Sequence, residues 1–282
     1  MTRSSGLAPG LAERVLERLG YAAPPPTDLG GLGGLYLAWC RNVPWDNLQK
    51  RITVEGGRAP LAGAEPAEFF ANFLAHGTGG TCWPSSGALH DLLAAAGFPV
   101  RRAVGAMHHL RFGRRANHGT VIATVEGAEY LVDSSMLTEH VLPLRREEPT
   151  AIAHAVHPIR AEPTAERLWS VWWSAADRDE EIPCLIFEDD VGHERYLERY
   201  EASRADGFSY AFVVRKNLGG GVVTVTRAVR YFKDARGAIS ASDVSGRLAE
   251  VLVDEIGFSD EIVAALPPDV PDPRARAAAP AD

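Results

Sequence analysis

The sequence predicts an α+β fold in which helices come first, a β-rich region follows and a last helix closes the chain. Two observations support this prediction. Apolar residues recur at three- and four-residue intervals through about the first hundred residues, which is typical of amphipathic helices. From Val100 onward, short runs of valine, isoleucine and aromatic residues alternate with turn residues, which is typical of β-strands.

Four helices are predicted in the first part of the chain, where glycine and proline mark their ends. They cover Gly10 to Gly20, Leu29 to Asn42, Pro66 to His76 and Pro84 to Ala96. Gly97 is the natural end of the fourth helix, because glycine adopts the left-handed conformation that follows a helix. Pro44 in the segment VPWDNL imposes extended geometry on Val43.

The β-rich region is predicted from runs of strand-forming residues separated by turns. These runs are PVRRAVGAM, HGTVIATVEG, EYLVDSS, RLWSVWWS, CLIFED, SYAFVVRKN and GGVVTVTRAVRYF. The glycines of LGGGVV predict a hairpin turn, because neither a helix nor a phosphate-binding lysine follows them. Trp169, Trp172 and Trp173 are predicted to fill the core of this region, with an aromatic platform for a substrate as the alternative. The last helix is predicted from Ser242 to Glu255, and a disordered tail follows Leu266.

Composition and charge exclude several classes of function. The 282 residues are 46% hydrophobic and 23% charged, which is typical of a globular protein. With 29 Lys+Arg against 37 Asp+Glu the net charge is -8, so a nucleic acid is not expected as a partner. No apolar run approaches the roughly 20 residues that span a bilayer, and no signal-peptide core is found. We expect a cytoplasmic protein with no membrane partner.

Three cysteines, Cys40, Cys82 and Cys184, lie far apart and form no CxxC pair, which predicts reduced thiols and no metal site. Cys82 directly precedes the helix predicted from Pro84, so its thiol falls on or beside the helix N-cap. The positive end of the helix dipole favours a thiolate there. The alternative is a buried cysteine that only fills space at the helix start.

Two glycines, Gly79 and Gly80, precede Cys82 in the segment GTGGTCWP. We expect them to let the chain turn tightly and to leave room above the sulfur for a substrate carbonyl.

A candidate base and carboxylate follow from the hairpin NHGTVIATVEGAEYLVDSSM. A two-residue turn at Glu126 and Gly127 pairs the strands so that one face is continuously apolar. The predicted pairs on that face are Val125 with Ala128, Ala123 with Tyr130 and Val121 with Val132. On the other face His118 is a diagonal neighbour of Asp133, at about 7–8 Å between backbones. An imidazole and a carboxylate can close that gap with a hydrogen bond, although each residue alone is also compatible with a structural role.

Other histidines are weaker candidates for the base. His108 and His109 lie in the polar stretch HHLRFGRR, which is typical of an exposed loop, and His90 is expected to face solvent further along the helix.

In order and spacing, these residues resemble the arylamine N-acetyltransferase family, including its amide synthase branch. The family pattern is Arg-Gly-Gly-x-Cys at a helix start, then a strand-borne His, then an Asp that ends Tyr-x-Val-Asp. Cys82, His118 and Asp133 stand in the matching order. VPWDNL and LLAAAGFPVRRAVGAM extend the resemblance, which covers about residues 10 to 265.

The resemblance implies a three-part architecture with a core like that of cysteine proteases. Its parts are a helical bundle carrying the nucleophile (residues 1–99), an antiparallel β-barrel carrying the histidine and aspartate (100–205), an α/β lid (206–266) and a disordered tail (267–282). It also implies a ping-pong reaction in which Cys82, with His118 and Asp133 as a triad, takes an acyl group from a thioester and passes it to an amine. No cofactor is bound permanently, and acyl-coenzyme A or an acyl-carrier protein serves as co-substrate.

Departures from the family pattern predict a reshaped pocket. Thr78 and Pro84 replace an arginine and a glutamate of the family, so both members of a charged pair are absent together. Met136 and Leu137 replace an aromatic residue and a glycine, and Trp45 replaces a smaller aromatic residue.

We expect the substrate to contact Trp45, Trp83 and Met136. The predicted function is an N-acyltransferase or amide synthase of specialised metabolism whose acyl group is not simply acetyl. The alternatives are an ordinary arylamine acetyltransferase that uses acetyl-coenzyme A, a thiol hydrolase or amidase, and a non-catalytic family member.

Overall fold

A computed structural model of the protein describes residues 6–166 and 168–273. The helices of the first part are α1 (Pro9–Arg18), α2 (Leu29–Asn42), α3 (Leu48–Glu55), α4 (Pro66–His76) and α5 (Cys82–Ala95). Further helices are α6 (His109–Phe112), α7 (His193–Ala202), α8 (Leu248–Glu250) and α9 (Asp260–Ala264), and a π-helix (Val251–Ile256) continues α8. No helix among these residues is long and apolar enough to cross a membrane.

The strands form two antiparallel sheets. The large sheet contains β2 (Val100–Met107), β3 (His118–Val125), β4 (Ala128–Val132), β5 (Leu142–Pro143), β6 (Thr150–Ile152), β7 (Ile159–Pro163), β8 (Trp169–Ser174) and β9 (Glu181–Glu188). The small sheet contains β1 (Trp45–Asp46), β10 (Val213–Leu218), β11 (Gly221–Thr226), β12 (Val229–Lys233) and β13 (Ile239–Asp243).

The large sheet is a nearly closed barrel. Its strand order is β5-β4-β3-β2-β9-β8-β7-β6, and the edge strands β5 and β6 lie close together. Alternate residues of β3 enter different cores, because successive side chains of a strand point to opposite faces. Ile122 lies in the barrel core with Trp169 and Trp173, whereas Val121 packs against α5 in the helical core. The α+β fold with an antiparallel barrel is confirmed, and the core role predicted for these two tryptophans is confirmed.

The small sheet connects a strand from the helical first part of the chain with four strands from its last part. Its order is β1-β10-β11-β12-β13, so the short strand at Trp45, between α2 and α3, pairs with the distant strand that contains Arg215. The hairpin predicted at LGGGVV is present, since Gly219 and Gly220 connect β10 to β11. The exact boundaries of the predicted three-part division stay a prediction.

The end of the chain differs from the sequence prediction. The helix predicted from Ser242 to Glu255 begins at Leu248, because Ser242 pairs with Arg230 in the β12–β13 ladder and Asp243 accepts hydrogen bonds from Ser245 in a turn. A further short helix, α9, follows it. Residues 268–270, predicted to belong to a disordered tail, are bound to the body of the protein, with Asp269 accepting hydrogen bonds from Arg51 and the Phe212 backbone. Residues 274–282 lie outside the described residues.

Candidate active site

The nucleophile candidate lies at the very start of α5. Cys82 is the first residue of the helix, after the N-cap Thr81, so the helix begins two residues before the predicted Pro84. One turn later, the Ser86 hydroxyl donates a hydrogen bond to the Gly119 carbonyl at 2.9 Å. This bond joins the first turn of α5 to the first residues of β3, and thereby brings Cys82 next to His118.

The two glycines before Cys82 are required for contact with the segment that contains β1. A Cβ atom on Gly79 would lie 1.7 Å from the Pro44 carbonyl oxygen, and Gly80 forms a bridge to Trp45. The Gly79 backbone N–H donates to Asp46 at 2.7 Å. These glycines therefore allow a close approach between two backbone segments, and the expected room above the sulfur stays a prediction.

The predicted hairpin register is present in every pair given above. It places His118 beside Asp133, with 2.7 Å between the imidazole Nε2 and the carboxylate Oδ2. The other carboxylate oxygen accepts hydrogen bonds from the backbone N–H groups of Ser135 and Met136, each at 2.9 Å. Asp133 is thus held by three donors and cannot rotate away from the ring without losing them.

The Cys82 thiol is a neighbour of the His118 ring, close enough to help raise its pKa. Since Nε2 faces Asp133, Nδ1 is the ring nitrogen left for the sulfur. The thiol additionally lies 3.7 Å from the carbonyl oxygen of Asn117, the residue before His118. Cys82, His118 and Asp133 are 7%, 2% and 1% exposed, so the three side chains meet almost out of contact with water.

Charge and burial act on this histidine in opposite directions. Burial lowers the pKa of His118, but the charge and hydrogen bond of Asp133, together with the contact to Cys82, outweigh it and raise the pKa from 6.5 to about 10. Burial in turn raises the pKa of Asp133, and the His118 charge and several hydrogen bonds lower it below its ordinary value. The pair is therefore an imidazolium and a carboxylate at neutral pH.

The other two cysteines lack this environment. Burial raises the pKa of the Cys40 and Cys184 thiols above their ordinary range, so neither is a thiolate at neutral pH.

The three residues that were expected to contact the substrate lie at two separate positions in the structure. Trp45 and Met136 lie together, because the guanidinium of Arg215 is 5.6 Å from the Trp45 ring and 3.6 Å from the Met136 sulfur. Trp83 packs in a separate buried cluster that includes Cys82, with its ring 5.1 Å from that of Tyr196.

Two residues near the site were missed by the sequence prediction. Arg215 belongs to no motif, and its position follows only from the pairing of β1 with β10. Asn117 directly precedes His118, and its side chain accepts from the Met107 backbone N–H at 2.7 Å, which holds the start of β3. Asn117 could have been found from the sequence, because it directly precedes the candidate base His118.

The rival histidines lie outside this cluster. His108 and His109 are half-buried at the start of α6, which replaces the predicted loop. His90 was expected at the surface, and that expectation is wrong: its Nδ1 is 2.7 Å from Asp91, whose carboxylate also accepts from Arg102. No group of three or more histidine, cysteine, aspartate or glutamate side chains within the described residues is arranged to hold a metal ion.

Thr78 and Pro84, which replace an arginine and a glutamate of the family, both lie in well-packed surroundings. Thr78 is fully buried, and Pro84 lies against Gly63 and Gly80, where added Cβ atoms would contact its ring. The region is filled without a charged pair, in agreement with the small cost expected when both partners of such a pair are absent.

A model of the N-acetyltransferase family matches residues 28–205. The chain is 30% identical over 124 residues to an arylamine N-acetyltransferase of Mycolicibacterium smegmatis, and 26% identical over 123 residues to proansamycin X synthase of Amycolatopsis mediterranei (strain S699). These alignments cover 42% and 43% of this chain, and 43% and 46% of the relatives, so the chain aligns with less than half the length of either.

Solved structures share the fold over nearly the whole chain. The arylamine N-acetyltransferase of Salmonella typhimurium superposes with a TM-score of 0.75 at 17% identity, covering 94% of this chain and 98% of that one. The enzyme of Mycobacterium marinum in complex with CoA gives a TM-score of 0.73 at 18% identity, covering 89% and 96%. The chain therefore belongs to the arylamine N-acetyltransferase family, a family of acyltransferases, as its motifs predicted.

Proposed function

We propose that this chain is a thioester-dependent N-acyltransferase or amide synthase that moves an acyl group to an amine through an acyl-enzyme on Cys82. The observation that carries the proposal is the buried His118 ring, which is hydrogen-bonded to the Asp133 carboxylate and lies beside the Cys82 thiol. A nucleophile, a base and an orienting carboxylate in this order activate a thiol for acyl transfer. Family membership favours an amine as the acceptor.

In the first half-reaction the Cys82 sulfur attacks the carbonyl carbon of the thioester. Its proton has passed to His118, where the high pKa holds it. A bond forms between the Cys82 sulfur and the acyl carbon, the bond from that carbon to the donor sulfur breaks, and His118 returns the proton to the departing thiolate. Reactant and product are both thioesters of similar energy, so positioning and charge stabilisation are the protein's main contributions.

In the second half-reaction the amine nitrogen attacks the acyl-enzyme. Neutral His118 removes a proton from the attacking nitrogen, the carbon–nitrogen bond forms and the bond to the Cys82 sulfur breaks. Asp133 keeps Nε2 occupied during both steps, and its negative charge stabilises the imidazolium that forms.

The donor in this proposal is acyl-coenzyme A or an acyl-carrier protein, with no permanently bound cofactor. The acyl group is not simply acetyl and belongs to specialised metabolism, because the family's pocket positions are changed to Trp45, Met136 and Leu137. The amide synthase relative from Amycolatopsis mediterranei supports this choice. An ordinary arylamine acetyltransferase is the second candidate, and the relative from Mycolicibacterium smegmatis favours it.

Intact-protein mass spectrometry tests the proposal after incubation with a panel of acyl-coenzyme A and acyl-carrier thioesters. We expect one acyl group per chain, located on Cys82 and released by an amine. Cys184→Ala is the matched control, since it removes another buried thiol, and it should still be acylated.

Acetylation as the strongest reaction of the panel would favour the ordinary acetyltransferase. Thioester consumption at the same rate with and without an amine would indicate a hydrolase. No adduct from any donor would contradict the enzymatic proposal and favour a non-catalytic family member.

A further inference from the structure

A row of polar side chains crosses the small sheet beside the candidate active site. Trp45 on β1 pairs with Arg215 on β10, and Arg215 pairs with Thr224 on β11. Directly paired residues of antiparallel strands point to the same face, with Cβ atoms about 4.5–5.5 Å apart. Indole, guanidinium and hydroxyl groups therefore stand side by side on one face of the sheet.

Each member of this row has a buried polar atom without a hydrogen-bond partner among the described residues. These atoms are Trp45 Nε1, Arg215 Nε and Thr224 Oγ1. The Ser135 hydroxyl, from the loop after Asp133, is also buried with no hydrogen-bond partner in the described part of the chain. Trp45, Thr224 and Ser135 are 7%, 2% and 4% exposed. Buried polar groups in native proteins nearly always have a partner, so a set of them around one arginine indicates a ligand.

The loop after Asp133 covers the same arginine. Arg215 Nη1 donates to the Ser135 carbonyl oxygen at 3.3 Å and lies 3.6 Å from the Met136 sulfur. Ser135 and Met136 are the residues whose backbone N–H groups hold Asp133. The polar row is thus joined to the group that orients His118.

The charge of Arg215 has no counter-ion in the described part of the chain. Arg215 forms no ion pair there, and the carboxylates whose charge reaches it, Asp133 and Asp177, are already engaged with His118 and Arg178. Burial lowers the pKa of Arg215, yet a guanidinium stays charged in proteins. A shielded charge without a partner is costly, which favours an anion that arrives with a substrate.

A second cation increases the positive potential at this place. Lys233 on β12 is 5% exposed and donates to the Ser174 hydroxyl and the Ala175 carbonyl, neither of which carries charge. Burial lowers the pKa of neighbouring His157, and the charges of His154, Lys233 and Arg215 lower it further, to about 3.

We propose that Trp45, Ser135, Arg215 and Thr224 form a subsite for a carboxylate carried by a substrate close to the bond that is made. The inference rests on the proposed function, because it assigns the anion to a reactant of Cys82. The guanidinium fork accepts a planar carboxylate with parallel hydrogen bonds, and the indole and hydroxyl groups supply further donors. The phosphates of coenzyme A are many bonds from its thioester, so they fit a subsite next to Asp133 less well than a carboxylate on the amine or on the acyl group.

Two matched pairs of substrates distinguish the two sources of the carboxylate. 4-Aminobenzoate and 4-aminobenzamide differ in charge on the acceptor, whereas succinyl-coenzyme A and butanoyl-coenzyme A differ in charge on the acyl group. The rates of the two half-reactions are measured separately for wild type, for Arg215→Met and for Arg227→Met. Arg227 lies exposed at the β11–β12 turn and serves as the matched control.

We expect the wild type to prefer the charged member of at least one pair. That preference should fall about 10- to 100-fold in Arg215→Met, as the loss of a charge-assisted hydrogen bond requires, and remain in Arg227→Met. A fall in the amine pair assigns the carboxylate to the acceptor, and a fall in the thioester pair assigns it to the acyl group. No wild-type preference in either pair, or an equal slowing of all four substrates by Arg215→Met, would overturn the proposal.

A measurement of ligand binding tests the subsite even if the protein does not transfer acyl groups. Absence of any acyl-enzyme in wild type would refute the function alone. Calorimetric titration of the unmodified protein with both matched pairs would then decide the subsite: a difference in affinity within either pair that disappears in Arg215→Met supports it, and equal affinities within both pairs refute it. If Arg215→Met does not fold, Arg215→Lys retains the charge without the planar fork and should reduce the same preference.

Discussion

Replacement of Asp133 by asparagine removes the charge beside His118 while the size of the side chain hardly changes. In wild type the pKa of the ring rises from 6.5 to about 10, which corresponds to about 5 kcal/mol in favour of the protonated form. The carboxylate 2.7 Å away supplies the largest part of the increase, against the effect of burial. In Asp133→Asn burial acts almost alone, so we expect the pKa of His118 to fall by several units.

The NMR chemical shifts of the His118 ring report this change as the pH is varied. In wild type the ring is expected to stay protonated between about pH 6 and 9, because its pKa is raised to about 10. In Asp133→Asn the ring should be neutral through most of that range, and acyl transfer should fall about 10³- to 10⁴-fold.

A matched control exists in the same chain. Asp91→Asn also removes a buried carboxylate bonded to a histidine, His90, but that pair lies outside the candidate site. It should leave the pH profile of the His118 ring unchanged, although it also weakens the contact with Arg102. The same profile for wild type and Asp133→Asn would refute the role given to Asp133.

Three further outcomes follow from the geometry. Cys82→Ala should abolish acyl transfer with little change in the thermal midpoint, and Cys184→Ala should retain transfer; activity in Cys82→Ala would count against the mechanism. Gly79→Ala places a Cβ atom 1.7 Å from the Pro44 carbonyl, so chemical denaturation should show a loss of more than about 2 kcal/mol in unfolding free energy, and an unchanged stability would contradict the close approach. The raised pKa of His118 stabilises the folded protein fully below pH 6.5, and this contribution is lost as the pH rises towards about 10. Wild type should therefore lose its stability advantage over His118→Gln in urea titrations between pH 7 and 10, and a constant difference would be inconsistent with the ion pair.

Much of the site could be predicted because the hairpin register is determined locally. A one-residue shift would move Val121 and Val132 from the helical core to the other face, so the apolar pattern alone selects the pairing. The contact between His118 and Asp133 follows from that register. The helix start at Cys82 was found within two residues, because proline is compatible with any position in the first turn of a helix.

Long-range pairing could not be predicted in the same way. Arg215 reaches the site because β1, only two residues long, pairs with β10, and no local pattern indicates that partner. Helix α7 was also missed, although Tyr196 and Tyr200 are spaced for one face of a helix and both pack beside Cys82. The single run GGVVTVTRAVRYF became two strands, because Arg227 and Ala228 both adopt positive φ angles and form a turn.

The central claim is that an acyl group passes through the sulfur of Cys82 on its way to an amine. Its most direct test is a chase experiment on an isolated acyl-enzyme, freed of donor and followed by mass spectrometry as an amine is added. We expect the acyl mass to leave Cys82 at the same rate at which one equivalent of amide appears. Amide formation without prior loss of label from Cys82, or an acyl-enzyme that releases only the free acid in the presence of amines, would contradict it.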